Sequence, residues 1–243
     1  MDTNVDAIVG AMKIKLFSDG ADLNGILAMY RNPWIKGFTT NPTLMHKAGI
    51  RDYEAFGREL LARIPDRPVS LEVFSDDMVG MEAQARKIAS WGSNVNVKIP
   101  VTNTEGVFMG PLITRLSADG IVLNVTALLT LHQVKAVADA LHPETAAIIS
   151  VFCGRIADTG VDPIPVMRAA AAAIAHRPKA ELLWASPREV LNVFQAESAG
   201  AHIITATPDI LKKLSLTGKD LTEYSLETVK MFHADACAAG FSL

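Results

Sequence analysis

The sequence is poor in aromatic residues, at 6%, and holds only two cysteines, Cys153 and Cys237. Two thiols so far apart form neither a disulfide framework nor a metal quartet. A chain of 243 residues buries a core without covalent staples. No apolar run is long enough to span a bilayer. Neither sign of charge dominates: 23 basic residues stand against 26 acidic ones, a formal net charge of −3. That balance argues against a nucleic-acid-binding footprint. The start MDTNVDAIVG lacks the basic segment and apolar core of a secretory signal. No G-x-G-x-x-G turn occurs, and no pair of the six histidines has the HExxH spacing of a metal site. These absences lead us to expect a reduced, cytoplasmic, soluble protein with no nucleic-acid or membrane partner and no cofactor or metal.

What the sequence does contain is alternation. Short β-rich runs fall at 13–17, 37–40, 69–74, 95–99, 121–125, 147–152, 181–185 and 202–205, with starts about 20 to 35 residues apart, the length of a βα unit. Several are almost continuously apolar (IVLNV, AIISVF, HIIT), as parallel strands buried on both faces must be. Eight such units predict an α/β fold, a single (β/α)8 TIM barrel. The alternative is a doubly wound open sheet, whose Gly-rich phosphate turn is missing. No linker interrupts the pattern. It therefore reads as one domain over residues 1–243, with about 206–243 as a C-terminal helical tail.

Helix signals separate the strands. Asp76-Asp77 precede an amphipathic run through Ser90. Thr102 and Glu105 have the capping-box spacing. Thr130 is placed to cap LHQVKAVADAL, and Pro163 to open VMRAAAAAIAH. Ser186-Pro187 predict the start of REVLNVFQAES, with Gly200 as its stop. In the tail, helices are expected over 209–214 and 225–239, joined by SLTGKDLTEY. The second has one apolar face, Leu226, Val229, Phe232 and Ala236, suited to cover the barrel or a neighbouring subunit.

Barrel enzymes place their chemistry at the C-terminal ends of strands, so polar residues there are informative. Asp19, Asn41, Glu72, Lys98, Asn124, Thr126, Ser150, Arg155, Ser186 and Arg188 all fall at or just beyond such ends. Lys98, between Val97 and Ile99 in a central strand, is the sharpest signal. Burial favours the neutral form of an amine, and a neutral amine attacks carbonyls to form a Schiff base. The plainer alternative is a lysine that reaches the barrel mouth or pairs with Glu72. Asp19 and Glu72 are candidate proton carriers, or ordinary caps. Asn41 before Pro42 also fits a turn. Arg155, Ser186 and Arg188 suggest an anion site, although Arg155 can equally end a loop and Ser186 cap a helix.

Together these segments resemble the transaldolase family, in particular its short members. The matching pieces are SDGAD (18–22), GFTTNPTL (37–44), LEVFS (71–75), VKIPVTNTEG (97–106), LNVT (123–126), SVFCGRI (150–156) and ASPRE (185–189), in family order across roughly residues 12–206. The resemblance implies a barrel with Lys98 as the Schiff-base lysine. Asp19 then handles protons at carbon–carbon cleavage, and Glu72 and Thr126 hold a catalytic water. Asn41 and Asn124 bind substrate hydroxyls, Ser150 lines the dihydroxyacetone end, and Arg155, Ser186 and Arg188 clamp phosphate. Sugar phosphates are the implied partners, and a homo-oligomer is implied by the ring assemblies of short members.

The family also contains fructose-6-phosphate aldolases, which carry Gln where this chain has Glu72 and Tyr where it has Phe152. Both positions here are of the transaldolase type. Three positions depart from the usual pattern: Val151 replaces Pro, Cys153 replaces Val as a small packing residue, and Ser18-Asp19-Gly20 replaces Asp-Thr. An aldolase-like enzyme for another ketose with an anionic tail, and a non-catalytic sugar-phosphate-binding protein on the same fold, are the competing readings.

Overall fold

The computed structural model describes residues 3–242. Eight parallel strands close into a barrel in sequential order: β1 (Lys15–Asp19), β2 (Ile35–Thr39), β3 (Val69–Glu72), β4 (Val95–Pro100), β5 (Leu123–Leu128), β6 (Ala147–Val151), β7 (Ala180–Trp184) and β8 (Ile203–Ala206). All eight predicted strands are present, with ends displaced by no more than a few residues. Helices between them cover the outer face, as parallel strands require.

The strand sequences divide between two environments. In β4, Val95, Val97 and Ile99 are buried in the layer between barrel and helices. Asn96 and Lys98 alternate with them and face the barrel axis, each lining one of its two end cavities. The axis itself is filled by a separate small cluster: Phe17, Ile148, Leu183, Ala185 and Ile203, with Phe152 against it. Gly37 is part of that packing. A Cβ there would stand 2.5 Å from the Phe17 ring, so the large side chain of β1 is accommodated by the absent one on β2.

Several helix signals act as predicted. Asp77 caps Met78–Ala89, and Asp162 caps the helix that Pro163 opens. Thr130 and Gln133 form a reciprocal capping box at Leu131–Ala140. Three expectations need correction. Thr102–Glu105 starts no helix, because Asp76 takes the Thr104 amide and hydroxyl while Asn103 Oδ1 accepts from Glu105 and Val107. The next helix is Gly110–Ala118, without a side-chain cap. Ser186-Pro187 likewise opens no helix. Asn192 Oδ1 takes the amides of Arg188 and Glu189, and the helix runs Leu191–Ser198. In the tail, Asp220 caps a helix over Leu221–Ala239, so part of the expected connector is helical. A helix over Thr3–Ala11, which carries no strong sequence signal, precedes β1.

Candidate active site

Strand register assembles the site. Glu72 of β3 is the Cα partner of Lys98 of β4, and Lys98 is the partner of Asn124 of β5. Three of the candidate side chains thus stand abreast on the inner wall. Across β1 and β2, Asp19 pairs with Thr39. The residues line a cavity of about 460 Å³ at the C-terminal ends of the strands. Asp19, Asn41, Glu72, Lys98, Asn124 and Thr126 border it on one side. Ser150, Phe152, Arg155 and Ser186 complete it on the other.

Lys98 is 6% exposed, and its ammonium is satisfied within the protein. Nζ lies 2.9 Å from Glu72 Oε2 and donates to the Thr40 carbonyl at 2.8 Å. The plainer expectation for this lysine, a partner in Glu72, is therefore observed in the same place that exposes Nζ to the cavity. A carboxylate in contact with an amine is also the simplest acceptor for the proton that the amine must lose before it attacks a carbonyl.

Asp19 is held differently. Its Oδ1 accepts from Thr39 Oγ1 at 2.7 Å, and Thr39 bonds Thr205 Oγ1 at 2.6 Å. Burial pushes the Asp19 carboxyl above the usual carboxylate range. The Thr39 bond and the Lys98 charge oppose that shift, and the Glu72 charge adds to it. A carboxyl displaced in this direction is better matched to proton exchange near neutrality.

Asn124 is fixed on both sides: its amide nitrogen donates to Ser70 Oγ at 3.0 Å, and its Oδ1 accepts from Ser150 Oγ at 2.7 Å. Asn41 Oδ1 accepts from the Leu44 amide and caps the short helix Pro42–Lys47 after β2, where its place before Pro42 had suggested a turn. Thr126 Oγ1 is buried with no hydrogen-bond partner among the described residues.

The Arg155 end of the cavity is built from the short helix Cys153–Asp158 after β6 and the loop after β7, pressed together. Ser186 has φ of +60°, a strained conformation for a residue with a side chain. That helix approaches Ser186 so closely that a Cβ on Gly154 would stand 1.5 Å from the Ser186 carbonyl oxygen. Only glycine permits that contact, which sets Arg155 and Ser186 on the same side of the cavity. Arg188 does not line the cavity. Its Nε and Nη2 bond the two oxygens of Asp158, and Nη1 donates to Ser186 Oγ at 3.1 Å. Cys153 is wholly buried, and burial pushes its thiol far up, which suits a packing residue.

Sequence reasoning missed Thr39 and Ser70. Both lie on the inner face, Ser70 two residues before Glu72 and Thr39 two after Gly37, so strand alternation was the signal that could have found them. It also missed Ala127, which lines the cavity at φ of +66°.

Among solved structures, the fold matches dihydrodipicolinate synthase from Rhodopseudomonas palustris with TM-score 0.53 and 13% identity, covering 88% of this chain and 79% of that one. A 2,3-dimethylmalate lyase matches with TM-score 0.54 and 12% identity, covering 98% of this chain and 88% of that one. At such identities the likeness is one of barrel architecture alone. Sequence relatives are more informative. A protein named "Probable transaldolase" from Hyphomonas neptunium is 35% identical over 231 residues, 95% of this chain and 100% of its own length. Its namesake from Caldicellulosiruptor saccharolyticus is 36% identical over 216 residues, 88% of this chain and 94% of its own. Another from Dehalococcoides mccartyi is 34% identical over 202 residues, 83% and 90% respectively. The family model described as Transaldolase/Fructose-6-phosphate aldolase matches residues 16–243. With that match running from the first strand through the tail helix, the chain belongs to the transaldolase/fructose-6-phosphate aldolase family.

Proposed function

We propose that this protein is a transaldolase that moves a dihydroxyacetone unit from a ketose phosphate, such as fructose 6-phosphate or sedoheptulose 7-phosphate, to an aldose phosphate. The observation that carries this reading is the contact of Lys98 Nζ with Glu72 at 2.9 Å inside a cavity that also holds Asp19.

In this scheme Lys98 passes a proton to Glu72 and attacks the C2 carbonyl of the donor. Glu72 returns a proton to the carbinolamine oxygen, and water leaves as the imine forms. The unpartnered Thr126 hydroxyl supports a place for that water beside Glu72. Asp19 takes the proton of the C4 hydroxyl. The C3–C4 bond breaks, its electron pair flows into the protonated imine, and the three-carbon unit stays on Lys98 as an enamine. Asn41 and Asn124 hold its hydroxyls, and Ser150 fixes Asn124. The released aldose phosphate, erythrose 4-phosphate when fructose 6-phosphate is the donor, exchanges for another at Arg155 and Ser186. Reversal of the same steps forms the new bond, and water returns at C2 to free Lys98.

Glu72 and Phe152 support transfer over release of free dihydroxyacetone. An ionised Glu exchanges a proton with the bound water where Gln only orients it, and Phe152 lacks a hydroxyl donor. The test is product analysis with fructose 6-phosphate, with and without glyceraldehyde 3-phosphate. Sedoheptulose 7-phosphate formed only when the acceptor is present is the expected result. Free dihydroxyacetone as the main product would overturn the transferase reading in favour of an aldolase.

The helix Leu221–Ala239 buries none of its described side chains, and Leu226, Val229 and Phe232 are exposed on it. This supports a homo-oligomer in which the helix packs on another copy. Light scattering on the full chain and on a tail-deleted variant tests it: the full chain is expected to be the larger species by a whole-number multiple, and two monomers would refute it.

A further inference from the structure

At the N-terminal end of the barrel, opposite the Schiff-base site, lies a second cavity of about 410 Å³. Its border is basic: Lys15, Lys36 and Lys179 against a single carboxylate, Glu181. Its inner wall is apolar, with Phe17, Val122 and Ile148. The three ammonium groups are not equally committed. Lys15 is paired with Glu181 at 2.8 Å, and Lys179 bonds Glu144 at 3.0 Å. Lys36 Nζ donates to the Pro33 carbonyl at 2.8 Å and has no carboxylate partner among the described residues.

A second observation points into the same space. Asn96 lies on the inner face of β4, is 8% exposed, and lines this cavity. Its side-chain amide makes no hydrogen bond to any described residue and opens onto the cavity. Nothing in the proposed reaction uses it, since Lys98 stands one inward step further along the same strand. An amide that opens onto the cavity without a protein partner, an ammonium without a carboxylate partner and an apolar wall form a complementary set.

We propose that this cavity binds a small organic anion with an apolar body. Its charged oxygens bond Lys36 and the Asn96 amide, and its body lies against Phe17, Val122 and Ile148. A sugar phosphate does not fit the description, because that wall offers no partners for a run of hydroxyls. Phe17 and Ile148 belong to the same apolar cluster as Leu183, Ala185 and Phe152, which border the upper cavity. The lower ligand therefore rests on the layer that floors the catalytic one.

The test uses 4-fluorobenzoate and the neutral 4-fluorobenzyl alcohol, each titrated into the full-length protein and followed by fluorine NMR. It reads binding without turnover, so its outcome is independent of the Schiff-base reading. Saturable binding of the anion at about millimolar concentration or below is expected, with the alcohol at least about tenfold weaker. Lys36→Ala, at an exposed position, and Asn96→Ala should each weaken the anion about tenfold. Arg155→Ala, at the other end of the barrel, should leave it unchanged. Three results would overturn the proposal: no saturation by the anion, equal affinity for the alcohol, or an unaltered affinity in Lys36→Ala. Loss of binding in Arg155→Ala would also overturn it, by placing the anion in the upper cavity.

Discussion

Arg188 is bound to both carboxylate oxygens of Asp158 and does not line the cavity that Arg155 lines. The two arginines expected to act as one clamp are therefore in different states. Arg155 has no carboxylate partner among the described residues, while Arg188 reaches the site through its bond to Ser186 Oγ. Arg155→Ala should raise KM for phosphorylated substrates by about ten- to a hundredfold, because a lost charge-assisted contact is made in ground and transition states alike. Arg188→Ala should raise it less. Steady-state kinetics of both variants check the order, and a larger effect at Arg188 would contradict it. The Arg188–Asp158 pair is about half exposed on each side, so its loss should change stability little.

Glu72→Gln keeps the shape beside Lys98 and removes the proton acceptor. Imine formation and hydrolysis should both slow, with kcat lower by about a hundredfold or more. Rapid-mix kinetics with fructose 6-phosphate should show slower build-up of the imine. An unchanged kcat would remove Glu72 from the proton path.

Asp19 links activity to stability through the direction of its shift. Its folded carboxyl titrates above the unfolded value, chiefly from burial, so its stabilising contribution is full below the unfolded pKa and is lost as pH rises through the folded one. At neutral pH the buried carboxylate is thus a cost. Asp19→Asn should abolish most turnover yet raise stability by about 1 kcal/mol, roughly 3 °C in Tm, near neutral pH. The gain should vanish as pH falls toward the carboxylate range. For the wild type, kcat/KM should decline on acidification through a pKa above the ordinary aspartate value. Thermal melts at several pH values decide the matter, and a destabilised Asp19→Asn at neutral pH would contradict the assignment of burial as the main cause.

Gly154→Ala tests the contact between the helix Cys153–Asp158 and the loop after β7. The new methyl would overlap the Ser186 carbonyl, and the helix and loop must part to admit it. A loss of about 2 kcal/mol or more is expected, together with a raised KM for sugar phosphates. A Tm and KM equal to wild type would show that the close approach is dispensable.

Strand alternation explains what was legible. Lys98, Asn124 and Ser150 stand out because parallel barrel strands are nearly all apolar, so a polar residue within one must face the axis. Eight such strands at βα spacing also suffice for the barrel. Thr39 and Ser70 escaped because small hydroxyl residues are common in strands and carry no charge to draw notice; only the closed geometry shows them bonding Asp19 and Asn124. The two false helix starts share one cause. Asn103 and Asn192 supply side-chain acceptors to backbone amides that the local pattern assigned to helical turns. The pairing of Arg188 with Asp158 was not legible, because Asp158 lies 30 residues away at the end of the helix Cys153–Asp158.

The central claim is that the Lys98 amine forms a covalent imine with a ketose phosphate. The most direct measurement is borohydride reduction of the protein with fructose 6-phosphate, followed by peptide mass mapping. The account predicts a single reduced three- or six-carbon adduct on the peptide bearing Lys98, absent from a folded Lys98→Ala variant. No adduct on Lys98, or an adduct of equal yield in Lys98→Ala, would contradict it.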